Sequence, residues 1–362
     1  MTNDIAFLDY KILQNFMEDV FKGIGVPEED AKICADVLIT SDLRGITSHG
    51  VQRLKMYYDR VKAGVQKPTT EIKIIKEAPS TATIDGGHGM GHVASYRAME
   101  IAIKKAKKTG VGAVAVGNST HYGIAGYYTM MATEEGMIGM AITNARPSVA
   151  PTFGVEPMMG TNPLTFGLPT DEEFPFVIDC STAIAQRGKI EVLARTKSSA
   201  PEGWVITEDG DLATDSVQIL KDLKEGKAAL LPLGGAGETL GGHKGYGYAA
   251  LVEILSAALS GGPFLQDLTL EKGYKLGHFF LVIDISKIIS LAVFTKIAGD
   301  ICRALRNSKK APGQNRIYVA GEKEFEIEKQ IKEKGVPVNK SIQKDLLIMQ
   351  EELGLNQYDF PF

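Results

Sequence analysis

The stretch Val111-Gly112-Ala113-Val114-Ala115-Val116-Gly117-Asn118-Ser119-Thr120-His121-Tyr122-Gly123-Ile124-Ala125-Gly126 passes from one kind of structure to another within a few residues. Its first six positions are continuously apolar and rich in valine, the pattern of a strand covered on both faces. From 124 to 135 the apolar spacing becomes helical and stops at Gly136, a C-terminal cap residue. Gly123 and Gly126 stand where that helix begins, so backbone N–H groups and the positive end of the helix dipole can approach an anion such as a pyrophosphate. His121 is isolated in the turn. An ordinary strand-to-helix connection with a surface histidine fits the same residues equally well, because short glycine motifs are weak signals.

Outward from this turn the alternation of strands and helices continues. Upstream, strands at 72–74 and 81–84 lead through Gly86-Gly87-His88-Gly89-Met90-Gly91 into a helix that stops at Gly110. His88 and His92 have the spacing of a helical metal pair, but the glycines place His88 in the turn and no third ligand is near, so no metal is expected. Downstream come a buried strand at 137–144, a patternless segment at 145–163 of a length that is usually functional, and strands at 164–168 and 176–178. The second of these runs into Asp179-Cys180-Ser181-Thr182, and Arg187-Gly188-Lys189 opens a helix. A hairpin is expected within 203–214 around Asp209-Gly210. The run 234–245 starts like a dinucleotide fingerprint, but Leu240 stands where the third glycine belongs and Pro232 is ill-suited to a central strand, so a Rossmann motif is rejected. A helix at 246–260, apolar around most of its circumference, reads as central. A strand at 278–285, a helix at 287–307, a short strand or extended link at 316–320 and charged helices at 322–334 and 341–353 complete the chain.

Toward the N-terminus, Asp9 caps a helix whose apolar face includes Leu13, Phe16 and Val20, and a second helix after Pro27 buries Ala31, Cys34, Val37 and Leu38. The segment Arg44-Gly45-Ile46-Thr47-Ser48-His49-Gly50-Val51-Gln52-Arg53 then leads into a third helix. With a helical start near Ser48, residues His49, Arg53 and Tyr57 fall at i, i+4 and i+8 on one face. An imidazole passes a proton near neutral pH, a guanidinium forks around a carboxylate, and a phenol adds a hydroxyl. A solvated helix face capped by Ser48 is the plainer alternative.

The formal net charge of −4, from 40 basic and 44 acidic side chains, argues against nucleic acid or an anionic membrane as the main partner. Cys34, Cys180 and Cys302 lie far apart without paired spacing, which fits a reducing, cytoplasmic setting. The polar opening Thr2, Asn3, Asp4 moves straight into an amphipathic helix, unlike a signal peptide.

Five motifs in order carry a resemblance: the segment 44–53 with Ser-His-Gly, 118–126 with His-Tyr-Gly-Ile-Ala-Gly, Gly160-Thr161-Asn162-Pro163, Asp179-Cys180-Ser181-Thr182, and Gly242-His243-Lys244-Gly245-Tyr246-Gly247. Together they resemble the malate/L-lactate dehydrogenase family of the second type, which also holds sulfolactate, ureidoglycolate and diketogulonate oxidoreductases and cyclic imino-acid reductases. The resemblance implies an α/β fold: a non-Rossmann nicotinamide-binding domain around a mixed sheet flanked by helices at 71–321, beside a helical domain formed by 1–70 and the C-terminal helices of 322–362. It further implies a homodimer.

The reaction implied is hydride transfer between NAD or NADP and a small 2-hydroxy or 2-oxo acid, with malate/oxaloacetate the leading pair. Reduction of a cyclic C=N bond is the alternative, and a non-catalytic nucleotide-binding protein is the third reading. By the same resemblance His49 or His121, with Ser48, handles the proton, and Arg53 holds the substrate carboxylate with Ser48, Tyr57 and Thr161. Lys189 stands where imino-acid reductases of the family can carry an acidic partner for the first histidine, which favours a 2-hydroxy acid and puts Lys189 among the substrate contacts. Cofactor contacts are implied at His121, Tyr122, Gly123, Ile124, Ala125, Asn144, Asp179, Cys180, Ser181, Leu231 and Pro232. The chemistry is coherent, since hydride addition to a carbonyl carbon leaves negative charge on oxygen that an acid must meet.

Overall fold

A computed structural model of the chain describes residues 5–269 and 273–362; the opening Thr2, Asn3 and Asp4 lies outside the described residues. Strand β1 (Ile5–Leu8) precedes helices α1 (Tyr10–Gly23) and α2 (Glu28–Leu43), and two 3-10 turns, Thr47–His49 and Val51–Arg53, lead into α3 (Leu54–Lys62). There follow β2 (Lys73–Glu77), β3 (Thr81–Asp85), α4 (Gly91–Thr109), β4 (Val111–Ser119), α5 (Ala125–Glu134), β5 (Met137–Thr143), β6 (Leu164–Leu168) and β7 (Phe176–Cys180). A small unit of α6 (Arg187–Arg195), β8 (Val205–Thr207), α7 (Ser216–Glu225) and β9 (Ala228–Leu230) comes next. The chain closes with α8 (Gly242–Ala257), β10 (Leu276–Asp284), α9 (Leu291–Asn307), α10 (Glu322–Lys334), β11 (Val336–Asn339) and α11 (Lys340–Leu353).

Short-range chemistry accounts for most of the boundaries. The carboxylates of Asp9 and Asp215 and the amide oxygen of Asn339 each accept two backbone N–H bonds at the starts of α1, α7 and α11. Gly110, at φ 88°, ends α4 in the left-handed conformation that a side chain disfavours.

Seven strands form one mixed sheet in the order β2-β3-β4-β10-β5-β6-β7, in which β3 and β4 are parallel and every other neighbouring pair is antiparallel. α4 and α5 bury Ala98, Met99, Ala102, Tyr128 and Ala132 against Val114, Val116, Ala141 and Phe280 of its central strands. A second apolar cluster joins α1, α2, α3 and α11 through Leu13, Phe16, Leu38, Leu54 and Leu346. A third, around Ile190, Val205, Ile219 and Leu230, holds the small unit together. Among the described residues no helix is long and apolar enough to cross a membrane.

Several expectations need correction. The chain does not enter its first helix directly: β1 comes first and pairs antiparallel with β11, tying the two ends together. Four residues are too few for a periodic signal. The third helix does not begin at Ser48, because Gly50 (ψ −139°) interrupts it and leaves two 3-10 turns before α3. The expected turn around Asp209-Gly210 does close within 203–214, with Ile206 bridging Leu212, the Ala213 N–H donating to the Val205 carbonyl at 3.1 Å and the Thr207 N–H to the Asp211 carbonyl at 2.9 Å. What local pattern did not show is that β8 also pairs with β9, whose Ala228, Ala229 and Leu230 are enclosed. α8 starts at Gly242 rather than 246 and is not enclosed, for Tyr248, Leu251 and Ile254 are 51%, 47% and 61% exposed. Of the two readings offered for 316–320 the extended link holds, whereas α9 begins at Leu291 and not at 287, because Ile285–Lys287 forms a 3-10 turn.

Candidate active site

β4, an interior strand of the sheet, ends at Ser119 and delivers His121 just beyond its C-terminal end. The turn after it is clamped from two sides. The Tyr122 ring stacks on His278 of β10, 4.6 Å between centroids and 2° from parallel, and His278 bonds Thr143 Oγ1 and Ser119 Oγ at 2.7 Å each. Gly123, at φ 79°, lies so close to α2 that a Cβ there would meet Val37 Cγ1 at 2.5 Å.

Two side chains, one from the 3-10 turns and one from α3, meet His121. The Tyr57 hydroxyl is 2.5 Å from His121 Nδ1, and the His49 ring stacks over the His121 ring at 5.5 Å, 22° from parallel. Ser48 Oγ lies 2.9 Å from His49 Nδ1, while Arg53 Nε donates to the Ser48 carbonyl at 2.8 Å. No carboxylate pairs with the Arg53 guanidinium among the described residues. His49, Arg53 and Tyr57 thus reach one place although no continuous helix carries them.

Burial sets the protonation states. It pushes His49 down to about 4, with the Arg53 charge adding to the shift. His121 is held well below the ordinary histidine range by burial first, then by His49 and Arg53. Tyr57 is raised by burial against the opposing pull of Arg53 and Arg60. At neutral pH the site therefore presents two uncharged imidazoles, a protonated phenol and a guanidinium.

The segments expected to hold a nucleotide are laced together. Asp179 accepts the Gly126 N–H at 2.7 Å through Oδ2 and the Thr165 hydroxyl at 3.0 Å through Oδ1, joining β7 to the start of α5. The Thr182 N–H donates to the Thr161 carbonyl at 3.0 Å, the Ile184 N–H to the Leu231 carbonyl at 3.0 Å, and Ala183 bridges Pro232. Cys180 Sγ lies 3.8 Å from the Leu164 carbonyl and Ser181 Oγ 3.1 Å from that of Ala183. Ile124 itself caps no N–H of α5, so the Asp179 carboxylate from β7 is the side chain that meets this helix N-terminus, and the Tyr122 hydroxyl is buried without a partner among the described residues.

A sequence model described as malate/L-lactate dehydrogenase matches residues 8–347. The chain belongs to the malate/L-lactate dehydrogenase family. It is 46% identical over 345 residues to a malate dehydrogenase of Pyrococcus horikoshii, covering 95% of this chain and 94% of the relative. It is 39% identical over 345 residues to an L-sulfolactate dehydrogenase of Methanocaldococcus jannaschii, covering 94% and 96%. The crystal structure of a malate dehydrogenase from Entamoeba histolytica superposes with a TM-score of 0.94 at 42% identity, over 99% of this chain and all of that one.

Two expected positions of this malate/L-lactate dehydrogenase family member sit apart from the cluster. Lys189 is exposed on α6 with Nζ 5.9 Å over the Trp204 ring, and no contact joins it to His49, Arg53, Tyr57 or His121. Asn144 is fully buried: Oδ1 accepts the Gly277 N–H at 2.9 Å, and Nδ2 donates to Glu253 at 3.3 Å and to the Pro263 carbonyl at 3.4 Å. Glu253 also accepts from Asn162 Nδ2 at 2.8 Å, so this polar network anchors the loop 145–163.

Supporting residues also emerge that pattern reading passed over. Asp42 accepts the Val51 N–H at 2.7 Å from beneath the turn that carries His49, and burial pushes its carboxyl up to about 8. A charged residue inside an apolar helix face was the available signal. Glu253 gave none, since its partnership with Asn162 of the Gly160–Pro163 motif spans 91 positions.

Proposed function

We propose that this chain transfers a hydride between a nicotinamide dinucleotide, NAD or NADP, and a small 2-hydroxy/2-oxo acid, with malate and oxaloacetate the favoured pair. The observation that carries this reading is the convergence of two neutral imidazoles with an Arg53 guanidinium that has no acidic partner. An unpaired half-buried cation beside proton-transfer groups is a receptor for an anionic carbonyl substrate. The relatives' activities agree with that reading.

Arg53 receives the carboxylate through its free guanidinium nitrogens, while its Nε bond to Ser48 fixes the fork. That anion offsets the positive field around His121, so the imidazole takes up a proton. The Tyr57 hydroxyl can donate to Nδ1 of the neutral ring or accept from the charged one, and thus serves both states. When bound, the nicotinamide supplies or accepts the hydride. As the carbonyl oxygen gains charge, His121 gives it the Nε2 proton and reverts to the neutral form; oxidation reverses the transfer. His49, stacked beside it and tied to Ser48, keeps the pocket free of a competing charge.

The nucleotide is assigned to the α5 N-terminus with the Asp179–Ser181 and Leu231–Pro232 segments. A sheet with one parallel pair and a chain without the glycine fingerprint support a non-Rossmann mode of binding. The separate apolar clusters support a helical domain of 1–70 with 322–362 beside a nicotinamide domain at 71–321. Val293, Ile297, Ile301 and Leu305 form an exposed stripe along α9, 44–56% exposed, which supports a homodimer. Three separate free thiols support a reducing, cytoplasmic setting. Oxidation of NADH or NADPH with oxaloacetate, run against pyrroline-2-carboxylate, tests the reading: turnover of the oxo acid is expected, and turnover of the cyclic imine alone would replace it with C=N reduction.

A further inference from the structure

Arg53 is not the only cation at this crevice. Arg53, Tyr57 and Arg60 stand at i, i+4 and i+7 where the Val51–Arg53 turn runs into α3, a spacing that puts three side chains on one face. The Tyr57 hydroxyl on His121 shows which way that face looks. Arg60 is half-buried, its guanidinium lies 5.6 Å over the Tyr274 ring, and no carboxylate pairs with it among the described residues. Its charge acts on the Tyr57 hydroxyl and on His121, as that of Arg53 does. Burial, and then the charges of Arg53 and Arg146, depress the pKa of Arg60 itself. Arg146 sits on the loop that follows β5 and likewise has no acidic partner among the described residues.

Arg53 and Arg60 stand on one face without a carboxylate and repel one another, with the exposed Arg146 adding to the same positive field, and a single substrate carboxylate on Arg53 leaves that further charge unneutralised. The rise from 53 to 60 is about 10 Å along the axis, which leaves room for a short acyl chain between the two forks. Building on the 2-oxo-acid reading above, we propose that Arg60, with Arg146, forms a second anion subsite that takes the distal acid group of a dianionic 2-oxo acid, either a carboxylate or a sulfonate. Arg60 is then a specificity-determining residue that selects dianions over monocarboxylates of the same reaction.

The test compares kcat/KM for oxaloacetate, 3-sulfopyruvate and pyruvate, with the reduced nicotinamide present, in the wild type, Arg60→Gln, Arg60→Lys and Arg146→Gln. The wild type is expected to prefer at least one dianion to pyruvate. Arg60→Gln is expected to lower that dianion-to-pyruvate ratio roughly 10- to 100-fold, chiefly through KM, the size of losing a charge-assisted bond to a desolvated anion. Arg60→Lys should recover part of the ratio, and Arg146→Gln should shift it less in the same direction. Should Arg60→Gln not fold, Arg146→Gln and Arg60→Lys carry the comparison. A ratio unchanged in these variants, or an equal fall on all three substrates, overturns the second subsite while leaving the dehydrogenase reading in place. A wild type that turns over none of the three overturns both.

Discussion

The hydroxyl of Tyr57 and Nδ1 of His121 lie 2.5 Å apart although 64 positions separate the two residues. That bond joins the helical cluster of α1, α2, α3 and α11 to the turn between β4 and α5. It sets the face that carries Tyr57 and, one turn earlier, Arg53 against the His121 imidazole.

Arg53→Lys should cost roughly 2 kcal/mol or more of transition-state stabilisation, because an ammonium cannot reproduce the planar fork around a carboxylate. Steady-state kcat/KM for the 2-oxo acid measures it. Unchanged kinetics would remove Arg53 from the site.

The proton acceptor for hydroxy-acid oxidation must be a neutral imidazole. A lowered pKa keeps His121 and His49 neutral as the pH falls past the ordinary histidine value of about 6.5. The profile of kcat/KM for malate oxidation should therefore stay level through about pH 6.5 and fall only in more acid solution. Tyr57→Phe should lower kcat roughly tenfold by removing the partner of Nδ1 while keeping the ring. A limb at or above pH 6.5 in the wild type would contradict this assignment.

Gly50 occupies a place no side chain can share. A Cβ there would come within 2.0 Å of Asp42 Oδ1, so the turn carrying His49 and Arg53 would have to move. Gly50→Ala should destabilise the fold by about 2 kcal/mol and depress activity as well, whereas Asp42→Asn, which keeps an acceptor for the Val51 N–H, should be far milder. Thermal unfolding and kcat/KM measured on both variants check this, and equal behaviour of the two would speak against a close-packed turn.

Much of this arrangement was legible in the chain itself. The strand, turn and helix of 111–134, the caps at Asp9 and Gly110 and the strands flanking 145–163 follow from local periodicity and capping, and the structure reproduces them with small shifts of boundary. What local patterns do not hold is long-range pairing. β1 finds β11 at the far end of the chain and β8 adds β9 to its own local turn, pairings that no nearby pattern announces. The stripe of His49, Arg53 and Tyr57 shows both sides of this. A continuous helix was the natural reading, yet Asp42 and Gly50 break it, and the three side chains still reach His121 because the two 3-10 turns advance the chain toward the same crevice. Glu253 could not be read at all, since its buried contact with Asn162 of the Gly160–Pro163 motif has no signature in spacing.

His92 should make the protein acid-sensitive. It is fully buried between Phe21 and Tyr57, neither ring nitrogen has a hydrogen-bond partner, and burial pushes its pKa down to about 3. Because the folded value lies below the unfolded one, its stabilising share is complete above about pH 6.5 and is lost as the pH falls toward the folded value. Between about pH 6.5 and 5 that loss is about 2 kcal/mol. His92→Phe should lose correspondingly less stability over the same interval in denaturant titrations, and an identical loss in both proteins would show that His92 is not buried neutral.

The most direct test of the central claim is isotopic. The protein is given reduced nicotinamide deuterated at the hydride-donating carbon together with oxaloacetate, and the product is weighed by mass spectrometry. The account predicts malate carrying one deuterium at its hydroxyl-bearing carbon, with formation slowed strongly in Arg53→Lys. Deuterium that stays on the nicotinamide, or that passes only to a cyclic imine offered in parallel, would contradict it.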